Sequence, residues 1–191
     1  MKKILIGKMP PNYEEELAEK LKMLSPQRAE YLSWRKIKDD FAVSVYASAA
    51  AAELAGEYLC KKTTDIIFDR DENGKPFIKD SDDINLSISH SYPFYAAAIS
   101  DKPIGIDIEK IRDVNPNIAK RAFTENEREY TGASKERFFE IWTKKEAYAK
   151  FTGNGLAEGF RSFDVLLPPI ADNLTFEIKN EAAIAIYIEE N

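Results

Sequence analysis

The stretch Ile104-Gly105-Ile106-Asp107-Ile108-Glu109 has the alternation of a β-strand, and the interpretation of the chain starts from it. Side chains alternate along a strand, so the isoleucines point to one side and Gly105, Asp107 and Glu109 point to the other. The apolar row should anchor the strand, and the acidic row holds two carboxylates roughly 7 Å apart. Like charges at this spacing repel unless a cation lies between them, and Gly105 would leave room for a ligand close to the backbone. Taken alone, the hexapeptide favours an amphipathic strand whose polar side faces water.

Composition narrows the class of protein and the type of metal site. The chain has 191 residues, of which 44% are hydrophobic and 31% charged, as in a soluble globular protein with one large domain or two small subdomains. Its net charge of -6 argues against general nucleic-acid binding. A single cysteine excludes a disulfide within the chain. Together with a single histidine it also excludes a metal site rich in either residue, so a bound metal ion should have oxygen ligands and be Mg²⁺ or Mn²⁺. No stretch approaches the ~20 apolar residues of a membrane span, and we expect a cytoplasmic protein without a membrane segment.

Four segments of the sequence predict helices. Periodic apolar residues predict helices over residues 14–24 and 135–151, and residues 39–60 form a long alanine-rich pattern suited to burial. Ser25-Pro26 predicts the start of another helix, with proline at its first position. That helix is expected to carry a basic cluster: Arg28, Arg35, Lys36 and Lys38.

Short alternating segments predict the strands. The start of the chain, Met1-Lys2-Lys3-Ile4-Leu5-Ile6, is interpreted as a first strand because its apolar run is too short for a signal peptide. Further strands are expected over residues 85–89, 94–100, 160–167, 174–178 and 182–188. The turn Asp101-Lys102-Pro103 suggests that residues 94–100 and 104–109 form a hairpin. Helices and strands follow no regular βαβ rhythm and no strong internal repeat is visible, so we predict an α+β fold.

A second polar pair lies on the predicted helix that ends near residue 151. Trp142-Thr143-Lys144-Lys145-Glu146-Ala147-Tyr148-Ala149-Lys150 places Glu146 and Lys150 four residues apart on one helix face. By itself this spacing is typical of an exposed ion pair that stabilises a helix by a few tenths of a kcal/mol.

Three motifs taken together, in this order, resemble Sfp-type (group II) 4′-phosphopantetheinyl transferases. They are Ser89-His90, the glycine-x-aspartate-x-glutamate strand at residues 105–109, and W-[ST]-x-K-E-[AS]-x-x-K at residues 142–150, which matches without exception. The turn Gly74-Lys75-Pro76 precedes them, and the resemblance is specific from about residue 74 to residue 159.

The resemblance implies a fold and a reaction. The fold would have two similar α+β subdomains about a pseudo-twofold axis: residues 1–102, with part of a coenzyme A site, and residues 103–191, with the metal and catalytic residues. The reaction would transfer the 4′-phosphopantetheine arm of coenzyme A to a serine of an apo acyl or peptidyl carrier protein and release adenosine 3′,5′-bisphosphate. The enzyme would be a monomer.

The resemblance also implies roles for individual residues. Asp107, Glu109 and Glu146 would ligate the metal ion. Glu146 would accept the serine proton, Glu127 is a second candidate base, and Lys150 would stabilise the leaving phosphate. The residues that would contact coenzyme A are Arg28, Lys75, Ser89, His90 and Lys150.

Some positions depart from the family, and other functions stay open. Val43 and Ala47 stand where an arginine and a glycine are usual, and Tyr31 where a basic residue is common, which questions how the adenosine end is held. A Mg²⁺-dependent nucleotide pyrophosphate hydrolase and a non-catalytic coenzyme A-binding protein are the alternatives. The basic and apolar segment 111–123, which includes Arg112 and Arg121, is predicted to contact the carrier. The sequence identifies neither the carrier nor its pathway.

Overall fold

A computed structural model of the chain, which describes residues 1–81, 83–153 and 159–189, has the predicted α+β fold. The strands are β1 (Lys2–Lys8), β2 (Phe68–Arg70), β3 (Pro76–Ile78), β4 (Asn85–Ser91), β5 (Phe94–Ser100), β6 (Ile104–Lys110), β7 (Leu174–Lys179) and β8 (Ala182–Ile188). The α-helices are α1 (Glu14–Lys22), α2 (Pro26–Ser33), α3 (Lys38–Leu59), α4 (Asn117–Ala122), α5 (Glu125–Thr131) and α6 (Lys135–Thr152). Within these described ranges, no helix combines the length and the apolar character needed to cross a membrane.

The two larger sheets repeat one topology. Each is antiparallel and has three strands, in the order β1-β5-β4 and β6-β8-β7. In both, a first strand is followed by helices and then by a hairpin whose second strand pairs with the first. The expectation of two similar α+β halves is therefore confirmed at the level of topology, although the sequence shows no repeat. A separate two-stranded sheet pairs β2 with β3.

The predicted hairpin between β5 and β6 is wrong. β5 pairs with β1 on one edge and with β4 on the other, whereas β6 pairs with β8. Because both edges of β5 are already hydrogen-bonded, β6 has no free edge to join, and the chain passes into the second sheet at residues 101–103. A short turn between two strands is thus compatible with a change of sheet.

Two apolar layers fix the positions of α3 and β6. The alanines of α3 are almost completely buried, and their small side chains let the helix pack closely on Leu86, Ala97 and Ile99 of the first sheet. The isoleucine row of β6 packs against Phe94 and other apolar residues of β5, so the sheets share a core. The predicted anchoring role of that row is confirmed.

The strand predicted over residues 160–167 is not formed. The chain instead makes a 3₁₀ turn at Phe160–Ser162, followed by an irregular segment. The Lys145 ammonium, which is 0% exposed, donates hydrogen bonds to the carbonyls of Phe160 and Phe163 at 2.6 and 2.7 Å. Two carbonyls turned toward one buried cation cannot both join a sheet, which explains the difference.

The basic cluster predicted on one helix is divided between a helix and a loop. Ser25 caps α2 as predicted, since its side chain accepts a hydrogen bond from the amide of Arg28. The helix ends at Ser33, however, and α3 begins at Lys38, so Arg35 and Lys36 lie in the connection between them.

Candidate active site

Strand β6 and helix α6 pack so closely that only glycine fits between them. A Cβ on Gly105 would lie 1.9 Å from the carbonyl oxygen of Ala147 and 2.7 Å from the amide nitrogen of Phe151. The room that Gly105 leaves is therefore filled by the backbone of α6 and not by a ligand, which corrects the expectation from the sequence. The contact brings Glu146 and Lys150 of α6 to the acidic side of β6.

Asp107 is buried, with 4% of its surface exposed. Its Oδ1 atom accepts hydrogen bonds from Lys150 Nζ and from Ser89 Oγ, both at 2.6 Å. Its Oδ2 atom is buried and has no hydrogen-bond partner among the residues that the structure describes. The interpretation of β6 as a strand with its polar side in water is therefore wrong. A buried acceptor without a donor is unfavourable unless a ligand or a cation meets it.

Serines of β4 provide part of the contact between the two sheets. Ser87 Oγ accepts a hydrogen bond from the amide of Ile106 at 2.9 Å, and Ser89 Oγ accepts one from the amide of Ile108 at 3.3 Å. Ser89 is 6% exposed and does not line the cleft described below. Its hydroxyl orients Asp107, so the predicted contact of Ser89 with coenzyme A is not supported by its position.

Glu146 is the carboxylate that this site leaves unpaired. It lines the cleft and makes no hydrogen bond or ion pair within the described residues. Burial, followed by the negative charge of Asp107, raises the pKa of Glu146 to about 7, although Lys150 opposes the shift. A carboxyl group with this pKa can accept or release a proton near neutral pH.

Glu109 lies on the same side of β6 but is already held by another side chain. Arg112 Nη1 donates to Glu109 Oε2 at 2.9 Å, and Ser91 Oγ donates to the same oxygen at 2.7 Å. Within the described ranges, no group of three histidine, cysteine, aspartate or glutamate side chains is arranged to hold a metal ion. The three predicted ligands nevertheless lie near one another, since the negative charges of Asp107 and Glu109 both raise the pKa of Glu146. Two of the three predicted ligands have oxygen atoms that suit a divalent cation: the Oδ2 atom of Asp107, which has no partner, and the unpaired carboxylate of Glu146.

A cleft of about 320 Å³ opens between the two halves of the chain. Helix α6 lines it with Glu146 and Lys150. The N-terminal half lines it with a basic set: Arg28, Arg35, Arg70, Lys75 and His90. A concave surface with this excess of cations suits an anionic ligand, and guanidinium groups suit phosphate in particular.

Two of the predicted cations line the cleft as expected. Lys75 Nζ donates to the carbonyl of Phe151 at 2.9 Å and so links the turn after β2 to the end of α6. Burial lowers the pKa of Lys75. Arg28 donates from Nε and Nη2 to Ser48 Oγ at 3.0 and 2.9 Å, and burial lowers its pKa to about 10. Arg28 therefore remains charged at neutral pH.

His90 lies in the cleft as a neutral group. Burial, followed by the positive charge of Arg35, lowers the pKa of His90 to about 4. The hydroxyl of Ser44 donates its only proton to the carbonyl of Asp40 at 2.6 Å and lies 3.0 Å from His90 Nε2. With the Ser44 proton directed to Asp40, the tautomer that fits this contact has its proton on Nε2 and leaves Nδ1 as the acceptor. At neutral pH His90 can contribute hydrogen bonds to a ligand but not a positive charge.

Glu127, the second candidate base, does not reach the cleft. It is 0% exposed, and its Oε1 atom lies 2.9 Å from Lys145 Nζ and accepts from the amide of Val165 at 2.9 Å. Its Oε2 atom accepts from the amide of Thr124 at 2.8 Å and completes a capping box at the start of α5. Both oxygens are occupied and buried, so the position of Glu127 does not support its predicted role as a base.

Sequence reasoning misses two residues that line the cleft or organise it. Arg70 lines the cleft. The one signal in the sequence that could have indicated this is its position four residues before Gly74 of the predicted turn. Lys145 lies inside the helix motif at residues 142–150, but the periodicity of that motif does not show that the Lys145 ammonium is buried and bridges α6 to α5. Neither role follows from spacing because both depend on segments distant in sequence.

A buried aspartate, an unpaired glutamate with a raised pKa, and a basic cleft together form a site whose shape and charge suit a phosphate-bearing ligand. Comparison with known proteins agrees with this class. The family model described as the 4′-phosphopantetheinyl transferase superfamily matches residues 103–191. The chain is 37% identical over 107 residues to the 4′-phosphopantetheinyl transferase psf-1 of Bacillus pumilus, covering 53% of this chain and 46% of that protein.

Two further comparisons extend over different parts of the chain. The 4′-phosphopantetheinyl transferase Sfp of Bacillus subtilis (strain 168) is 31% identical over 162 residues, which cover 82% of this chain and 72% of that protein. A crystal structure of a holo-(acyl-carrier-protein) synthase from Bacillus anthracis in complex with CoA (3′,5′-ADP) is 23% identical, with a TM-score of 0.43, and the match covers 51% of this chain and 91% of that one.

The chain belongs to the 4′-phosphopantetheinyl transferase superfamily, because its match to Sfp exceeds 30% identity over more than two thirds of that protein. It spans about half the length of psf-1, at 46%. The sequence resemblance to Sfp-type members is thereby confirmed at the level of the family.

Proposed function

We propose that the chain transfers the 4′-phosphopantetheine moiety of coenzyme A to a serine of an apo acyl or peptidyl carrier protein, with release of adenosine 3′,5′-bisphosphate. The observation that carries the proposal is the unpaired Glu146, whose pKa is raised to about 7, beside the Lys150–Asp107 ion pair in a cleft rich in cations. The similarity to psf-1 and Sfp, both named 4′-phosphopantetheinyl transferases, supports the same reaction class.

In the proposed mechanism Glu146 and Lys150 have separate tasks. Glu146 would take the proton from the carrier serine, since its carboxylate lines the cleft and is not engaged by another side chain of the described residues. The Lys150 ammonium, now 2.6 Å from Asp107 Oδ1 and 3.1 Å from the carbonyl of Ile106, would stabilise negative charge on the leaving phosphate. Asp107 would hold Lys150 in the orientation that this task requires.

We propose that Mg²⁺, with Mn²⁺ as a substitute, is held by Asp107 through Oδ2 and by Glu146. When bound, the ion would neutralise charge that develops on the pyrophosphate oxygens. Glu109, the third predicted ligand, is bonded to Arg112 and Ser91 through Oε2 only, so it would join through its Oε1 atom. The chain's own groups do the remaining work of orienting the ligand and moving the proton.

In this proposal the two halves of the chain have different functions. Residues 1–102 would supply most of the coenzyme A site through Arg28, Lys75 and His90. Residues 103–191 would supply the metal ligands and catalytic groups. That the cleft is lined from both halves supports this division. A monomeric state and a cytoplasmic location are further parts of the proposal.

For the carrier we propose a docking surface within residues 111–123. Lys120 and Arg121 are exposed there, and Ile118 is 37% exposed, whereas Phe123 is buried and cannot take part. Arg112 is half-exposed but bonded to Glu109, so its replacement would also disturb the carboxylates. Charge reversal at Lys120 and Arg121 should therefore raise the carrier KM while coenzyme A binding is unchanged; an unaltered carrier KM would contradict this surface.

The transfer reaction is tested by intact-protein mass spectrometry of apo carriers incubated with coenzyme A and Mg²⁺. A serine that gains the phosphopantetheine group becomes heavier by about 340 Da, whereas a pyrophosphate hydrolase or a non-catalytic binding protein leaves the carrier mass unchanged. Glu146→Gln should abolish the gain with the fold intact. Glu136→Gln, on the exposed first turn of the same helix, is the matched control and should leave the gain unchanged. Full activity of Glu146→Gln would refute the assigned base.

A further inference from the structure

The aspartate of β6 has one oxygen held by two partners and one oxygen left over. Asp107 Oδ1 accepts hydrogen bonds from Ser89 Oγ and from Lys150 Nζ, both at 2.6 Å, whereas its Oδ2 atom has no partner among the described residues. A serine and a cation therefore fix one oxygen and leave the other to a ligand. Partners of this kind orient a metal ligand, and their loss weakens metal binding.

Glu109, on the same side of β6, is held by the same pair of groups. Its Oε2 atom accepts hydrogen bonds from Ser91 Oγ at 2.7 Å and from Arg112 Nη1 at 2.9 Å. In both cases the serine belongs to β4 and precedes the acidic residue by 18 positions. Within the described ranges, no hydrogen bond reaches the Oε1 atom of Glu109. The repeated arrangement therefore leaves Oε1 as the oxygen that a cation can use.

Arg112 has donors that face away from Glu109. Its side chain is 54% exposed. Nη1 also donates to the carbonyl of Lys110 at 3.1 Å, and Cζ lies 5.6 Å from the ring centroid of Phe139. Among the described residues, Nε and Nη2 make no hydrogen bond. An exposed guanidinium group that binds Glu109 through one nitrogen can bind a second carboxylate through the other two.

The surroundings of Arg112 indicate where that second carboxylate would come from. Arg112 lies in the segment 111–123, proposed above as the docking surface for the carrier, and Lys120 and Arg121 are exposed in the same segment. A surface with these three cations fits a partner whose contact face is acidic. The guanidinium group would then lie between a carboxylate of the partner and a ligand of the cation.

We propose that Arg112 links Glu109 to a carboxylate of the docked carrier, so that the carrier and the divalent cation strengthen each other's binding, and that Ser91 is a positioning residue for Glu109. This inference rests on the proposed function for the identity of the partner and of the cation. Without the carrier, the charge of Arg112 lies beside a cation ligand and opposes a further positive charge. A carrier carboxylate on Arg112 compensates that charge. Since coupling between two binding sites is reciprocal, the cation favours the carrier by the same factor.

The first test uses the purified chain without a carrier. Mn²⁺ is titrated in, and the free ion is measured by electron paramagnetic resonance, which gives a dissociation constant that does not depend on activity. Ser91→Ala should raise this constant about tenfold, because Glu109 loses a partner that orients it. Arg112→Gln should lower it about two- to fivefold, the size of one half-exposed ionic interaction, because Ser91 still orients Glu109. Changes in the same direction, or no change in either variant, would overturn the inference.

Three variants serve as controls. Ser91→Thr keeps the hydroxyl and Arg112→Lys keeps the charge, so both should stay within about twofold of the wild-type constant. Arg137→Gln removes a matched cation, because Arg137 Cζ lies 5.1 Å from the ring centroid of Tyr130 and Nη1 donates to a backbone carbonyl at 3.1 Å, outside the cleft. It should leave Mn²⁺ binding unchanged. An effect of Arg137→Gln equal to that of Arg112→Gln would show that net charge alone is responsible and would refute the inference.

The second test measures the coupling. It uses a carrier that gains mass in the transfer assay, with its acceptor serine replaced by alanine so that no transfer occurs. Saturation with this carrier should lower the Mn²⁺ dissociation constant of the wild-type chain about two- to fivefold, and Mn²⁺ should lower that of the carrier by the same factor. Both effects should be lost in Arg112→Gln. Coupling of the same size in Arg112→Gln, or no coupling in the wild-type chain, would contradict the proposed link.

The two tests separate this inference from the proposed function. If a carrier gains mass but shows no coupling to Mn²⁺, the transferase function stands and the link through Arg112 is refuted. If no carrier gains mass, the transferase function is refuted, whereas opposite effects of Ser91→Ala and Arg112→Gln on Mn²⁺ binding still support the roles of these residues at the cation site. Absence of Mn²⁺ binding to the wild-type chain would refute the inference outright.

Discussion

Replacing Gly105 with alanine tests whether the β6–α6 contact builds the active site. The added Cβ would lie 1.9 Å from the carbonyl oxygen of Ala147, and side-chain carbons essentially never approach closer than 3.0 Å, so the helix must retreat by about 1.1 Å. If the helix moves along the line that joins Lys150 Nζ to Asp107 Oδ1, the distance between these atoms grows from 2.6 to about 3.7 Å and the hydrogen bond is lost. Overpacking of this kind lowers the free energy of unfolding by about 1–3 kcal/mol.

The two consequences are measured separately. Urea denaturation gives the free energy of unfolding, and the rate of the proposed carrier modification under saturating substrates gives kcat. A displacement of about 1 Å in catalytic groups can reduce kcat about 100-fold, so the loss of activity should exceed what the unfolded fraction explains. The refuting result is a Gly105→Ala chain with wild-type kcat and wild-type stability.

Gly7→Ala is the matched control for this experiment. Gly7 lies in β1, the topological counterpart of β6, and an added Cβ would meet the ring of Tyr95 at 2.2 Å. The obstacle there is the far end of a side chain that can rotate, and both Gly7 and Tyr95 belong to the β1-β5-β4 sheet, which does not contain β6. Gly7→Ala should therefore reduce stability but keep kcat within about twofold, because the distances among the catalytic groups are unchanged.

Three further predictions concern buried polar groups. The pKa of His90 is about 4 in the folded chain and about 6.5 when unfolded, so the unfolded state binds more protons between these two pH values. The free energy of unfolding, measured by urea denaturation, should therefore fall as the pH falls from 6.5 to 4, by about 1.4 kcal/mol per pKa unit at most. The His90→Gln chain should show a shallower fall. Lys145→Met should lower the free energy of unfolding by about 3–5 kcal/mol by leaving Glu127 as an unpaired buried charge. The double variant with Glu127→Gln should recover part of that loss, and strictly additive losses would argue against the ion pair. Ser89→Ala should lower stability by about 1–3 kcal/mol, because the amide and the Asp107 carboxylate that it satisfies are both buried, whereas an unchanged unfolding midpoint would contradict this contact.

Local patterns account for the elements that could be predicted. The strand at residues 94–100, the cap at Ser25 and the helix that ends before Gly153 are all formed near the predicted bounds. Each depends on alternation, periodicity or backbone geometry within a few residues. The misplaced strand at residues 160–167 had the same kind of pattern, but its carbonyls are drawn to an ammonium that lies about fifteen residues earlier in the chain.

The sequence by itself determined which chemical groups this chain can offer: the carboxylates of Asp107 and Glu146, the ammonium of Lys150, and too few histidines and cysteines for a metal site rich in either. Only the tertiary structure decided which groups are free to act. It buried Glu127 against Lys145, occupied Glu109 with Arg112, and left Glu146 unpaired. The physical reason is that pairing and desolvation depend on what packs around a side chain, and those neighbours come from segments that no local pattern connects.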